Sequence, residues 1–397
     1  MSLSRERRLL LVVLLVGAAL RLSANDVRIF SRADETHYLL VAQRLAAHPI
    51  AGYAAAAQAF IDDPTMWVVP SLQRWGYFLT AGVTCRVFAP CSYHTLTWLS
   101  TLGGIAAMLL TWLFGRRLVG VAPALLGTAL VAVSPLQLAL GRRALTDEIV
   151  CATVLAALWA ILRVLDAPRA QKAGRLVATA VALGALSLSF KETFGLYAPG
   201  LFALWLWRWK RRGGLVRTDL LLLLTPLPYY LGYCLLTRSL TQHFEMMRIT
   251  YSALATDYNL QFQSGPLHRY LIDLVALSPL PMLLAIAGAA ALPLLRGEDN
   301  DGPAQLAVLS GLSLLTFALV SMNLRFVPAI ESMLCLLAAW YLLRVTRPLR
   351  SRNAVLAVAL GAVVISDLWI FERVFIERGV YDPSASEILK ALDCIPH

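Results

Sequence analysis

The sequence predicts an all-α, polytopic membrane protein, and three observations carry the prediction. Of its 397 residues, 58% are hydrophobic and only 15% charged, far more apolar than a soluble domain of this size. Apolar runs recur along the chain that reach, or nearly reach, the roughly 20 residues needed to cross a hydrocarbon core of about 30 Å. Runs of that length in lipid must satisfy their own backbone hydrogen bonds, which a helix does internally. The net charge of +11 does not imply a nucleic-acid partner here. It lies mostly in short loops between apolar runs, where Lys and Arg mark the cytoplasmic side.

The first run, 9–24, follows Arg5-Glu6-Arg7-Arg8, which places the N-terminus in the cytoplasm. Leu22-Ser23-Ala24 makes a poor cleavage site and many spans follow, so this run is expected to be a retained helix and not a signal peptide. Segment 25–94 is too polar for a single span and forms a first outer loop with short amphipathic interfacial helices. Within it, Ser31 to Leu45 opens on the adjacent carboxylates Asp34 and Glu35. It continues as a short helix with Leu39, Ala42 and Ala46 on one face and Gln43 and Arg44 on another. Asp34 and Tyr38, four apart, share a face. Capping is the plain alternative: Ser31 or Asp34 closes the helix start and Glu35 complements its dipole.

Trp75 to Phe88 is aromatic-rich and short for a span. Laid at the interface, it leaves every later basic cluster on one side: Arg116-Arg117, Arg163 to Arg175, Arg208 to Arg217 and Arg344 to Arg352. The remaining spans are then 95–114, 118–140, 149–166, 176–190, 194–209, 219–237, 271–295, 304–322, 326–345 and 354–371. With the first run this makes about eleven. Residues 238–270 form a long outer loop, and 372–397 a short outer tail. The six cysteines show no metal-ligand spacing. Cys151, Cys234 and Cys335 sit in apolar runs as packing residues, whereas Cys85, Cys91 and Cys394 fall in outer segments where a disulfide is open.

This topology gathers polar groups on one face. The first loop carries Asp34, Glu35 and Arg74. The turn after the third span reads Gly141-Arg142-Arg143-Ala144-Leu145-Thr146-Asp147-Glu148, and the one after the fifth Phe190-Lys191-Glu192-Thr193. Loop 238–270 holds Arg248, Tyr251, Asp257, Tyr258, His268 and Arg269, and the turn after the ninth span reads Ser321-Met322-Asn323-Leu324-Arg325-Phe326. Each has a structural explanation of its own. Asp147 and Glu148 suit a helix N-terminus, Lys191-Glu192 reads as a self-neutralised pair, and Arg325 as a side chain snorkelling to headgroups. Ionisable residues at membrane depth are costly, however, and usually functional. The inner loops are basic and featureless, while the outer turns are short and mixed in charge.

The ordered set of motifs resembles one family. Asp34-Glu35-x-x-Tyr38-x-x-x-Ala42-x-x-Leu45 after the first span is similar to the first-loop signature of GT-C membrane glycosyltransferases. The nearest branch is that of the protein O-mannosyltransferases and the aminoarabinose transferase of lipid A. Leu145-Thr146-Asp147 resembles their second outer acidic motif, and Lys191 their basic third turn. Asn323-Leu324-Arg325-Phe326-Val327-Pro328 resembles the Arg-aromatic-x-Pro start of a late helix. The resemblance runs from about residue 5 to 345. Two departures stand out: Gln73-Arg74-Trp75-Gly76-Tyr77 replaces a Lys-Pro-Pro pattern, and Glu148 and Glu192 add acids.

The resemblance implies a single integral membrane domain, 1–397, with a catalytic module at 1–237 and C-terminal spans at 271–371. It implies transfer of a sugar from a polyprenyl-phosphate-linked donor to an acceptor hydroxyl, at the outer face of a bacterial-type plasma (inner) membrane. The acceptor is a protein, a lipid or a polysaccharide, and the other partners are membrane lipids. Asp34, Glu35 and Asp147 are the expected catalytic acids, with Asp34 as base. Tyr38, Arg74, Arg143, Lys191, Glu192, Arg269 and Arg325 are the expected substrate contacts, since guanidinium and ammonium groups suit phosphate oxygens. Two acids beside phosphate also offer a place for a divalent cation, Mg2+ or Mn2+, although nothing in the sequence requires one. A transporter or flippase is the rival reading. It calls for charged groups at the membrane midplane in two related halves, and no internal repeat is visible. A non-catalytic scaffold and a polymer ligase complete the alternatives.

Overall fold

The structure of the chain, a computed structural model, describes residues 3–23, 33–166, 173–212, 217–252, 263–295 and 300–396. Among them every regular element is helical. Five helices are long and apolar enough to cross a membrane: Tyr93–Leu118, Asp147–Asp166, Asp301–Val320, Pro328–Val345 and Arg352–Glu377. A bent pair, Val121–Val133 and Pro135–Gly141, makes a sixth if counted as one span. Gly174–Phe190, Leu221–Thr237 and Pro279–Ala291 are apolar but shorter. The chain is thus a polytopic helical membrane protein, and among the described residues five or six full-length spans stand against the eleven expected. Several expected spans appear as short or interrupted helices.

Most of the elements that build the site lie in the first half. They are α1 (Leu3–Ser23), α2 (Ala33–Ala47), α3 (Pro49–Asp62), α4 (Trp75–Val87), α5 (Tyr93–Leu118), α6 (Val121–Val133), α7 (Pro135–Gly141), α8 (Asp147–Asp166) and α9 (Ala173–Phe190). Helix α8 is the axis. It packs along α5 on one flank and α9 on the other, and residues Asp147 to Cys151 at its start are all buried. Gly103 permits this approach, because a Cβ there would stand 2.8 Å from the backbone nitrogen of Ile149. Gly76 plays the same part where α4 meets the end of α9, since a Cβ would collide with Ser189.

The break between α6 and α7 bends the chain by 59°. Pro135 has no N–H to continue the helix, and Ser134 Oγ restarts it by accepting from Gln137 N, 3.2 Å. The carbonyls freed at the end of α6 do not meet lipid. Arg21, fully buried at the end of α1, donates to Ala132 O (3.2 Å) and Val131 O (3.3 Å). A guanidinium thus replaces the missing backbone donors, the condition for a broken helix at membrane depth. Arg21 stands inside the first apolar run, 9–24. Its partners lie more than a hundred residues away, which no local pattern reveals.

Helix α2 lies across α4 as an interfacial pair. The buried residues of α2 are Glu35, His37, Tyr38, Val41, Ala42 and Leu45; of the expected Leu39, Ala42 and Ala46, only Ala42 is fully buried and the other two are partly so. The helix is rotated because Tyr38 inserts between aromatic rings of α4, 4.9 Å from Tyr77 and 5.5 Å from Phe78. Gln43 and Arg44 are exposed as expected. The Trp75–Val87 segment is a 13-residue helix, too short to span. Its end is joined by a Cys85–Cys91 disulfide to the turn before α5, while Cys394 stays free and exposed. Ser31, Asp257 and Tyr258 lie outside the described residues.

Candidate active site

Helix α2, four turns and the C-terminal segment converge at one end of the bundle. Helix α2 contributes Asp34, Glu35 and Tyr38 from a single turn. The connection from α7 to α8 contributes Arg143 and Asp147. Arg74 precedes α4, Lys191 and Glu192 follow α9, and Arg325 sits on the one-turn helix Leu324–Phe326. Their cations stand where helix dipoles disfavour them. Arg74 occupies the N-cap of α4, and Lys191 that of the 3-10 helix Glu192–Tyr197; neither makes a capping bond. Each is held by a carboxylate instead.

Arg74 forms a fork on Glu192, with Nη2 to Oε1 at 2.7 Å and Nε to Oε2 at 3.0 Å. Its third nitrogen donates to the Tyr38 hydroxyl at 2.7 Å. Burial would push the Glu192 carboxyl up, but Arg74 outweighs it and holds the group down near about 2. Lys191 Nζ pairs with Asp147, both side chains being 3% exposed. It also lies 4.2 Å from the centre of the Phe326 ring. Burial brings the Lys191 ammonium down to about 8, with Asp147 opposing the shift. The expected self-neutralised Lys191-Glu192 pair is therefore not what forms. Lys191 has an extended backbone (φ −162°, ψ 129°), which sends consecutive side chains to opposite sides.

Glu35 is clamped by Arg143, at 3.2 Å from Nε and 3.0 Å from Nη2, and by the Tyr381 hydroxyl at 2.8 Å. Even so, burial raises the Glu35 carboxyl above the usual range. Arg325, 8% exposed, does not snorkel: Nη2 reaches Asp34 Oδ2 at 3.1 Å, and Nε lies 3.3 Å from Asp382 Oδ1. His37, on the inner side of α2, is driven down to about 4 by burial and sits edge-on to Phe78.

Nine of the ten expected site residues thus fall in three bonded groups at one end of the bundle: Asp34, Glu35, Arg143 and Arg325, joined through Tyr381; Tyr38, Arg74 and Glu192; and Asp147 with Lys191. Arg269 is the exception. It turns to Asp273 on its own helix, 3.3 Å, and to the Ser264 carbonyl, because its helix serves as a buttress. The neighbouring Tyr270 hydroxyl donates to Ser321 O (2.6 Å) and accepts from Asn323 N (2.8 Å), holding the Arg325 turn. Sequence reading missed two members, Tyr381 and Asp382. The Tyr381 ring lies between two guanidiniums, 3.5 Å from that of Arg143 and 5.2 Å from that of Arg325. Through Arg325 the site joins residue 34 to residue 382.

Asp34 and Asp147 reach the same cluster, Asp34 through Arg325 and Asp147 through Lys191, beside the neighbouring Phe326. The arrangement offers two carboxylates among four cations, suited to a reaction in which a hydroxyl loses a proton and an anion departs. As to the divalent cation, no group of three His, Cys, Asp or Glu side chains gathers as a ligand set among the described residues.

Residues 75–233 match the family model described as dolichyl-phosphate-mannose-protein mannosyltransferase. Among solved structures, apo ArnT from Cupriavidus metallidurans is similar at a TM-score of 0.61 and 15% identity, over 96% of this chain and 68% of that one. ArnT bound to undecaprenyl phosphate gives 0.59 and 15%, over 96% and 74%. The archaeal oligosaccharyltransferase AglB from Archaeoglobus fulgidus, in complex with an inhibitory peptide and a dolichol-phosphate, gives 0.52 and 13%. That match covers 96% of this chain but 56% of AglB. No curated protein matches the sequence.

Proposed function

Because the chain has the GT-C membrane glycosyltransferase fold that its motifs foretold, we propose that it transfers a sugar from a polyprenyl-phosphate-linked donor to an acceptor hydroxyl. One observation carries the reading: Asp34, paired with Arg325, and Asp147, paired with Lys191, stand at the same end of the bundle as the Arg143–Glu35 and Arg74–Glu192 pairs. Supporting it are the family match across 75–233 and the undecaprenyl phosphate bound by the similarly folded ArnT.

In this reading the acceptor oxygen attacks the anomeric carbon, and Asp34 takes its proton. The bond from that carbon to the phosphate oxygen breaks, and the electron pair leaves with polyprenyl phosphate. A single displacement inverts the anomeric centre. Arg325, Lys191, Arg74 and Arg143 stabilise the departing phosphate. Asp147 holds Lys191 and positions the acceptor, and Glu35 and Glu192 fix the orientation of Arg143 and Arg74. The basic loops support the reading that this end of the bundle faces the outer side of a plasma (inner) membrane.

Asp34→Asn should fold normally and lower transfer by about 10²- to 10⁴-fold, the usual contribution of a positioned base. The assay is sugar transfer in proteoliposomes supplied with lipid-linked donors. Mass spectrometry of glycolipids and glycoproteins, with and without the gene, then identifies the product. Full activity in Asp34→Asn would end the assignment.

The transport reading retains one observation in its favour. Glu148, Glu331 and Asp367 are buried within the bundle, as is Arg21, and intramembrane acids mark proton paths elsewhere. Solute or proton uptake by vesicles in the absence of sugar transfer would favour it.

A further inference from the structure

The charges of the network are matched before any substrate arrives. Five carboxylates (Asp34, Glu35, Asp147, Glu192 and Asp382) face four cations (Arg74, Arg143, Lys191 and Arg325), and each cation already has a carboxylate partner. With all nine ionised, the cluster carries a single negative charge. An incoming phosphate adds another. An anion therefore binds well only by exchange, taking a cation from one of the resident carboxylates.

Four of the five are poorly placed to yield. Asp147 shares a buried pair with Lys191. Glu35 accepts three hydrogen bonds from Arg143 and Tyr381. Glu192 is held by a two-bonded fork. Asp34 rides on α2, which Tyr38, Ala42 and Leu45 lock into the core.

Asp382 differs in two respects. It belongs to the segment beyond the last membrane-spanning helix, after the left-handed turn at Gly379 (φ 61°). Its contact with Arg325 is also incompletely formed. Nε lies 3.3 Å from Oδ1, yet this buried nitrogen makes no hydrogen bond. Asn323 Nδ2 donates to the same oxygen at 3.0 Å. Two donors thus converge on one carboxylate oxygen, beside a guanidinium whose other edge touches the proposed base.

Resting on the polyprenyl-phosphate reading, we propose that Asp382 Oδ1 holds the place of a phosphate oxygen in the resting site. Binding of the substrate's phosphate moves Arg325 Nε and Asn323 Nδ2 from Asp382 to the phosphate. No covalent bond changes in this step. Tyr381, fixed by its bonds to Glu35 and Arg143, keeps the two guanidiniums at constant spacing while the exchange occurs. Asp382 thereby lowers the affinity of the resting site for the phosphate, which must displace it, and leaves binding of an uncharged lipid untouched.

The test is equilibrium binding of a polyprenyl monophosphate, and of the same polyprenol without phosphate, to the full chain in nanodiscs. Asp382→Ala and Asp382→Asn remove the resident anion and should bind the phosphate about tenfold more tightly, the lower range for one charge-assisted contact. Polyprenol binding should not change. Asn323→Asp keeps the side-chain acceptor for Arg325 N but replaces the donor with an acid, and should weaken phosphate binding at least tenfold. It carries the test if the Asp382 variants fail to fold. Wild-type preference for phosphate over polyprenol, with no tightening in either Asp382 variant and no loss in Asn323→Asp, overturns the exchange and leaves the donor reading intact. Equal wild-type binding of phosphate and polyprenol overturns both.

Discussion

Replacing Lys191 by methionine tests whether the Asp147–Lys191 pair is the electrostatic keel of the site. Methionine keeps most of the length and apolar stem and removes the ammonium. Both partners are 3% exposed, so water cannot solvate the carboxylate left behind, and losing one partner of a buried pair costs about 3–5 kcal/mol. A ceiling follows independently. The orphaned carboxylate can always escape by taking a proton, and an aspartate in the unfolded chain titrates near about 3.9. Holding it protonated at pH 7 costs at most about 1.36 kcal/mol for each of roughly three pH units, or about 4 kcal/mol. At pH 5 the same ceiling falls to about 1.5 kcal/mol. The sign follows from proton counting: the unfolded variant is ionised, the folded one protonated, so acid favours the folded form. The stability deficit of Lys191→Met against wild type should therefore shrink between pH 7 and pH 5, staying within about 4 kcal/mol at pH 7 and about 1.5 kcal/mol at pH 5. Denaturant unfolding in mixed micelles measures both values. The double variant Lys191→Met, Asp147→Leu should recover most of the loss, as buried pairs replaced by apolar groups do. A deficit below about 1 kcal/mol at pH 7, or one that is the same at both pH values, would refute the reasoning.

Two further outcomes follow from the same geometry. Arg74→Lys keeps the charge but cannot hold the Glu192 fork and the Tyr38 hydroxyl together, so sugar transfer should fall by about 10- to 100-fold while thermal unfolding moves little. The rate of transfer should fall as pH rises through about 8, where Lys191 loses its proton. Stability should not fall with it: the folded ammonium titrates below its unfolded value, so over the window from about 8 to 10.5 this group makes the folded state more stable as pH rises. A parallel fall in rate and stability across that window would assign the alkaline limb to unfolding and not to Lys191.

Much of this site was legible because its groups sit at helix ends, where sequence pattern has a fixed geometric meaning. Asp34, Glu35 and Tyr38 lie within one turn of α2, so a spacing of four suffices to align them. Asp147 and Arg325 announce themselves as ionisable residues bordering apolar runs. Partner choice was not legible, because it depends on how remote turns meet. Lys191 and Glu192 are neighbours in sequence and look self-neutralising. The extended backbone at Lys191 separates them, and each finds its partner across the cluster. The stripe on α2 was misread by about one position, since Leu39 and Tyr38 are both apolar enough to face inward and only the rings of Tyr77 and Phe78 decide between them. Tyr381-Asp382-Pro383 carries no periodicity and reads as an ordinary turn. Its significance arises only when the segment folds back so that a ring enters the gap between Arg143 and Arg325. These failures share one cause. A short polar segment at a membrane boundary is free of the hydrophobic patterning that reveals helices, so its pairing is set by the charges already waiting on the bundle.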